Sequence, residues 1–235
     1  MILAYMAEHY DERVWAYFVF AFYGGMRPEE LIALRWSDID EASGVARVCR
    51  VRTFGGTERD ETKTKTDRDV DLSGPALTAL DVMKKYTHSK GPDADIFEHP
   101  ELRKPWHDER SQRDTYWAPA LRRLGIRKRR AYATRHTFCT VLLMAGINPA
   151  YIAMQAGHSV KVLLDVYAKW IPENDAGRQR ALASAALLPQ DFPRGVTAQS
   201  ENPDNPLQNN ELPGCAFGRR DWIRTNDPHH VKVVL

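Results

Sequence analysis

Cysteine is scarce in this chain. Cys49, Cys139 and Cys215 are odd in number and widely spaced. That excludes a disulfide framework and a cysteine metal site, and it points to a reducing cytoplasm. Long apolar runs are missing as well. The most apolar stretch, Val14 to Tyr23, is too short to cross a bilayer, which takes about 20 residues, and reads as a buried helix. No secretory signal is present, so no membrane partner is expected. No cluster of acids and no His/Cys pairing offers metal ligands, which leaves a metal-dependent nuclease without support and a metal or cofactor unexpected. A net charge of +2 names no partner, and no internal repeat is visible. What is present is an apolar fraction of 43%, enough for a core, in 235 residues that can hold one large domain or two small ones.

Charge is distributed more tellingly than it is summed. Arg122, Arg123, Arg127, Lys128, Arg129 and Arg130 precede Arg135 with no acid between them, a run suited to a polyanion. Along the chain, Asp11 can cap a helix that Gly24 and Gly25 stop after Tyr23. In MRPEEL, Pro28 suits a first helical position, so Arg27 stands at the mouth of a helix, where backbone N–H groups favour an anion. Val45 to Arg52 reads as a strand, and Arg68 to Leu72 alternates with Val70 and Leu72 on one side. Between them lies a polar, mobile turn carrying Lys63 and Lys65. Pro75 opens a helix with Leu77, Leu80 and Met83 inward, and a further helix carries Trp117, Ala120, Leu121 and Leu124. Thr134 is expected to cap the next helix, with Arg135 in its first turn and Phe138, Val141, Leu142 and Ala145 on its inner face. Asn148-Pro149 is a cap-plus-first-position pair.

The stretch GHSVKVLLDVY organises the rest. On one continuous helix, His158 and Tyr167 would face opposite ways, nine steps of about 100° apart. Gly157 instead suits a left-handed helix end and Ser159 a new N-cap, so His158 lies in a turn, free to point where Tyr167 points. Val160, Leu163, Leu164, Tyr167 and Ala168 share the inward face of the new helix. A last helix is expected from about Glu173 to Leu188. Residues 189–235, rich in Pro, Asn, Gly and Gln, read as a low-order tail that could dock in trans.

Two arginines present planar forks that match phosphodiester oxygens, and neither gives up its proton. A lysine can donate one if its pKa falls. A tyrosine can attack phosphorus, and a histidine can bond a phosphoryl oxygen or help the tyrosine lose its proton. Together they describe phosphoryl transfer without metal.

Arg27 in GMRPEEL, Arg135-His136 in ATRHT and GHS followed by Tyr167 resemble, in order and spacing, the tyrosine recombinases of the phage-integrase family. The resemblance runs from about Asp11 to Trp170. It implies a mainly helical α+β fold, with helices around a small antiparallel sheet of about three strands. The catalytic domain would span residues 1–188. It also implies a site-specific recombinase that cleaves and rejoins double-stranded DNA through a 3′-phosphotyrosyl link without metal, cofactor or ATP. Such enzymes work as homotetramers on DNA, with C-terminal exchange between protomers, in a prokaryotic or phage setting. By the same resemblance Arg27 and Arg135 clamp the scissile phosphate, and Lys63, with Lys65 as fallback, protonates the leaving 5′ hydroxyl. His158 bonds a nonbridging oxygen, Tyr167 is the nucleophile and Glu30 supports the site.

Two departures qualify the resemblance. Tyr132 stands where the family often has histidine, which puts a proton-transfer role there in doubt, and Tyr132 or Tyr151 is a conceivable rival nucleophile. The chain also opens almost at the catalytic domain, without the helical core-binding domain that usually precedes it. The alternatives are therefore a truncated, non-recombining DNA-binding remnant, or a relaxing activity like that of type IB topoisomerases.

Overall fold

A computed structural model of the chain describes residues 1–59, 67–167 and 180. The expectations for Lys63, Lys65, Ala168, the helix to Leu188 and the 189–235 tail lie outside the described residues. The elements run α1 (Ile2–His9), α2 (Glu12–Tyr23), α3 (Pro28–Leu31), β1 (Ile39–Asp40), β2 (Val45–Val48), β3 (Val51–Arg52), β4 (Glu58–Arg59), β5 (Arg68–Asp71) and α4 (Gly74–Thr87). They continue with α5 (Glu109–Gln112), a π-helical turn (Arg113–Trp117), α6 (Ala118–Arg123), α7 (Ala133–Met144), α8 (Pro149–Ala156) and α9 (Val160–Tyr167).

α2 is apolar on every side and buried on nearly all of them, from Val14 through Phe22, which makes it the central helix. Its start is set locally: the Asp11 carboxylate accepts the Arg13 N–H at 2.9 Å. α4 packs along it with Ala76, Ala79, Leu80 and Met83 buried. Against these lies an antiparallel sheet in the order β1-β2-β5, with Ala46 opposite Val70 and Val48 opposite Arg68. Ala46, Val48 and Val70 point into the core, as a two-residue side-chain period requires.

The single strand expected from Val45 to Arg52 is two. β3 leaves the first sheet and pairs with β4 in a separate hairpin. Ion pairing accounts for the break. The Arg50 guanidinium turns to Asp38, and buried Arg52 reaches Glu58 at 2.7 Å, Asp95 at 2.9 Å and the Ile32 carbonyl at 2.7 Å. A buried guanidinium needs acceptors, and Glu58, Asp95 and the Ile32 carbonyl supply them away from the β2–β5 ladder.

A smaller apolar cluster joins α7, α8 and α9 through Cys139, Leu143, Ile152, Ala153, Ala156, Leu163 and Tyr167. Here the expected inner face of α7 needs correcting. Thr134, Arg135, Thr137, Cys139, Thr140 and Leu143 are the buried positions, Phe138, Val141 and Leu142 are only partly covered, and Ala145 is exposed. The buried arginine and threonines hid that face from a hydrophobic pattern. The expected cap is also displaced: Tyr132 is the N-cap, and the Thr134 hydroxyl bonds back to the Ala131 carbonyl at 3.0 Å. On α9, Leu163 and Tyr167 are buried as expected, whereas Val160 is exposed. Among the described residues, no helix is long and apolar enough to cross a membrane.

Candidate active site

The site lies where the α2–α3 corner meets the ends of α7 and α8. Arg27 is the N-cap of α3, with Pro28 at the first helical position. Glu30, three residues on, reaches back to the cap: one carboxylate oxygen accepts the Arg27 backbone N–H at 2.9 Å, the other its Nη1 at 2.7 Å. The remaining Arg27 fork donates to the Gly157 carbonyl at 3.1 Å.

Arg135 comes from the first turn of α7 and is wholly buried. Its Nη1 donates to the Gly25 carbonyl at 2.8 Å, and its Nη2 donates to the Ala156 carbonyl and meets His158 Nε2 at 2.8 Å. Gly25 is constrained twice, by its left-handed φ of 62° and by the Phe138 ring, which a Cβ would meet at 2.4 Å. The two-glycine stop after α2 thus aims a carbonyl at the buried arginine.

Gly157 takes the left-handed conformation expected of it, φ 59° and ψ 49°, and His158 follows in the turn before α9. Ser159 caps α9, its hydroxyl accepting the Val162 N–H at 3.2 Å. Burial, helped by Arg135, Arg27 and Arg68, pushes His158 down to about 4, so its ring is neutral at neutral pH. A guanidinium has only N–H groups to offer, so Nε2 accepts from Arg135 and the ring proton sits on Nδ1. That Nδ1 and the Arg135 Nε are both buried with no hydrogen-bond partner among the described residues.

His158 lies in a turn as expected, but its hydrogen bond is to Arg135 rather than to Tyr167. The histidine at Tyr167 is His136, whose Nδ1 shares a 2.6 Å hydrogen bond with the tyrosine hydroxyl. Tyr167 is 2% exposed, and burial, with Cys139 and Tyr132 nearby, holds its phenol well above the ordinary range, against the pull of Arg135. Burial and Arg135 push His136 below its ordinary value, so it too is neutral. Tyr132 packs edge-on against His136, ring centroids 5.0 Å apart, and lies 5.9 Å from the Arg135 guanidinium carbon.

The structure therefore gathers Arg27, Glu30, Arg135 and His158 into one cluster and sets Tyr167 against the residue next to Arg135. It adds two residues whose roles sequence reasoning missed, His136 and Arg68. Arg68 forks onto Glu30, Nη1 to one oxygen at 3.0 Å and Nη2 to the other at 2.6 Å. Of the basic run, Arg122, Arg123, Arg127, Lys128 and Arg130 are exposed and Arg129 is half-buried, its pKa lowered by burial and Arg127. The rival Tyr151 is committed elsewhere, donating its hydroxyl to Asp71 at 2.8 Å.

Glu30 makes the cluster sensitive to acid. Burial alone would raise its carboxyl, but Arg68 and Arg27 overturn that and hold it at about 2. A depressed carboxyl stabilises the fold fully above its unfolded value, and that contribution is lost as pH falls through the folded one. On the order of 3 kcal/mol is at stake. Urea unfolding is expected to show stability falling from about pH 5 to pH 2. Glu30→Gln should be less stable at pH 7 and lose less stability over that window than the wild type.

The helices, the small sheet and this cluster define a tyrosine recombinase catalytic-domain fold, shared with structures such as the catalytic domain of bacteriophage HP1 integrase. The chain belongs to the phage integrase family, whose model matches residues 2–172. Prophage integrase IntR of Escherichia coli K12 is 35% identical over 190 residues, covering 72% of this chain and 46% of IntR. IntQ of the same strain, named as a defective protein, is 32% identical over 187 residues, covering 70% of this chain and 47% of IntQ. This chain thus spans about half the length of the curated relatives it matches. Among solved structures, the Tn1549 transposon integrase in complex with circular intermediate DNA matches with a TM-score of 0.63 at 21% identity, covering 78% of this chain and 64% of that one.

Proposed function

We propose that the cluster binds a phosphodiester of double-stranded DNA, and that the chain performs site-specific recombination by cleaving and rejoining strands through a 3′-phosphotyrosyl intermediate. The observation that carries this reading is the unmet demand for acceptors. Among the described residues, Arg135 Nε and His158 Nδ1 are buried N–H donors without partners, in a cluster holding three guanidinium groups, those of Arg27, Arg68 and Arg135, against the single carboxylate of Glu30. Phosphoryl oxygens are the acceptors that satisfy both the charge and the hydrogen bonds.

In this reading Arg27 and Arg135 hold the nonbridging oxygens and stabilise the charge that gathers on them in the transition state. His158, neutral, donates from Nδ1. Tyr167 attacks phosphorus and its proton passes to a neutral histidine; His136, 2.6 Å from the hydroxyl, is placed to take it. The P–O5′ bond breaks, and Lys63, or Lys65 as fallback, protonates the departing oxygen. The phosphotyrosyl ester keeps the bond energy, so rejoining needs no ATP, and none of these roles calls for a metal. The exposed arginines and lysine from Arg122 to Arg130 suit neighbouring phosphates. The similarity to IntR and to a DNA-bound transposon integrase supports the same substrate. Residues 1–188 form the catalytic domain, and a homotetramer on DNA with C-terminal exchange, in the cytoplasm, is the working assembly.

The test is a set of nicked suicide duplexes built from the DNA that flanks the gene. With EDTA present, a covalent protein–DNA complex that survives boiling in detergent is expected. If such duplexes yield no complex, the reading fails.

A further inference from the structure

We propose that Arg68 is a positioning residue for strand cleavage, one buried guanidinium that sets Arg27 and the His158 turn together. This inference rests on the proposed phosphodiester chemistry. The Glu30 carboxylate is shared: each oxygen accepts one bond from Arg27 and one from Arg68. Arg27 could swing on its own side chain, but a carboxylate fixed by a second, planar fork holds it in one orientation.

The third donor of Arg68 reaches the other half of the site. Its Nε bonds the Gln155 carbonyl at 3.1 Å, in the last turn of α8, while Arg27 grips the Gly157 carbonyl two residues further on. The fit is close. A Cβ on Gly157 would meet the Arg68 guanidinium at 3.0 Å, so the glycine serves both its left-handed φ and the approach of the arginine. With its Nε and one N–H of each Nη given to Glu30 and Gln155, Arg68 is placed to act through Arg27 and the His158 turn. It is also the first residue of β5, five positions after Lys63 in the chain. A single side chain therefore ties the strand that follows the lysine segment to the phosphate clamp.

The joint between β5 and α8 does not depend on Arg68 alone. The Asp71 N–H donates to Gln155 Oε1 at 2.7 Å, and Gln155 Nε2 and the Tyr151 hydroxyl donate to the Asp71 carboxylate at 3.0 and 2.8 Å. Arg68→Gln should therefore fold with the clamp loosened. A misplacement of about 1 Å in such a site can cost on the order of 100-fold in rate.

The experiment measures single-turnover adduct formation on the suicide duplex, DNA affinity by band shift, and thermal unfolding, for wild type, Arg68→Gln, Arg68→Lys, Arg27→Lys and the Arg27→Lys/Arg68→Gln double variant. Arg68→Gln is expected to slow adduct formation by roughly 10- to 100-fold at unchanged affinity. Arg68→Lys, which keeps the charge and loses the fork, should fall between. In the Arg27→Lys background the second substitution should add little, because both act on the same guanidinium placement. An Arg68→Gln rate within about twofold of wild type overturns the proposal, as does an equal loss in both backgrounds, which would mark general weakening of the fold. If Arg68→Gln proves unfolded, Arg68→Lys carries the same comparison. A wild type without adduct takes down the proposed function itself, whereas an active wild type with an indifferent Arg68→Gln takes down only this inference.

Discussion

Tyr167→Phe is expected to form no covalent adduct at all while remaining folded. The ring belongs to the small cluster with Cys139, Leu143, Ile152 and Leu163, and phenylalanine keeps that packing. What is lost is the hydroxyl and its 2.6 Å bond to His136, a stability loss of about 1 kcal/mol. The chemical loss is complete, because no other group of the substituted side chain can bond phosphorus. Circular dichroism and thermal unfolding should be near wild type, with no band surviving boiling in detergent. The burial of Tyr167 adds a consequence. A tyrosine that is 2% exposed cannot meet DNA where it stands, so adduct formation requires the pocket around the Tyr167–His136 pair to open. His136→Ala separates two effects: DNA-free release of the tyrosine and loss of its nearest base.

Arg135→Ala should reduce the cleavage rate by several orders of magnitude, at least about 1,000-fold. Two effects combine. In the proposed reaction the guanidinium is a transition-state charge partner held in a buried site, where it acts far more strongly than in water. It is also the tie among three chain segments, through the Gly25 and Ala156 carbonyls and His158 Nε2. Truncation leaves those acceptors buried and unmet, so a lower melting temperature accompanies the lost activity. Arg135→Lys divides the contributions. It restores a positive charge without the fork, and a rate still far below wild type with much of the stability recovered assigns the loss to geometry.

Much of the frame could be read locally. Asp11, Asn148-Pro149, Gly157 and Ser159 each act within two or three residues, so their caps and turns appear in the structure where the residue types placed them. The sequence also named Arg27, Glu30, Arg135 and His158, because a recurring order of residue types marks them even when nothing local does. The misses share a cause at longer range. α1 has a modest apolar pattern and acquires its place from α2. The inner face of α7 is polar by composition, since Arg135, Thr134, Thr137 and Thr140 are buried for the bonds and seams they fill rather than for their hydropathy. Arg68 reads as an ordinary strand arginine until α3 brings Glu30 to it across the fold. His136 sits beside Arg135 in the chain, yet only the packing of α9 on α7 shows that it, and not His158, touches Tyr167.

The central claim is that the Tyr167 oxygen, and no other, becomes bonded to the scissile phosphorus held by Arg27 and Arg135. Its most direct test is to trap the adduct on a suicide duplex, digest the DNA and the protein, and locate the nucleotide remnant by peptide mass and fragmentation. The expected result is a remnant on the peptide containing Tyr167, lost in Tyr167→Phe. A remnant on Tyr132, Tyr151 or any other residue would contradict it.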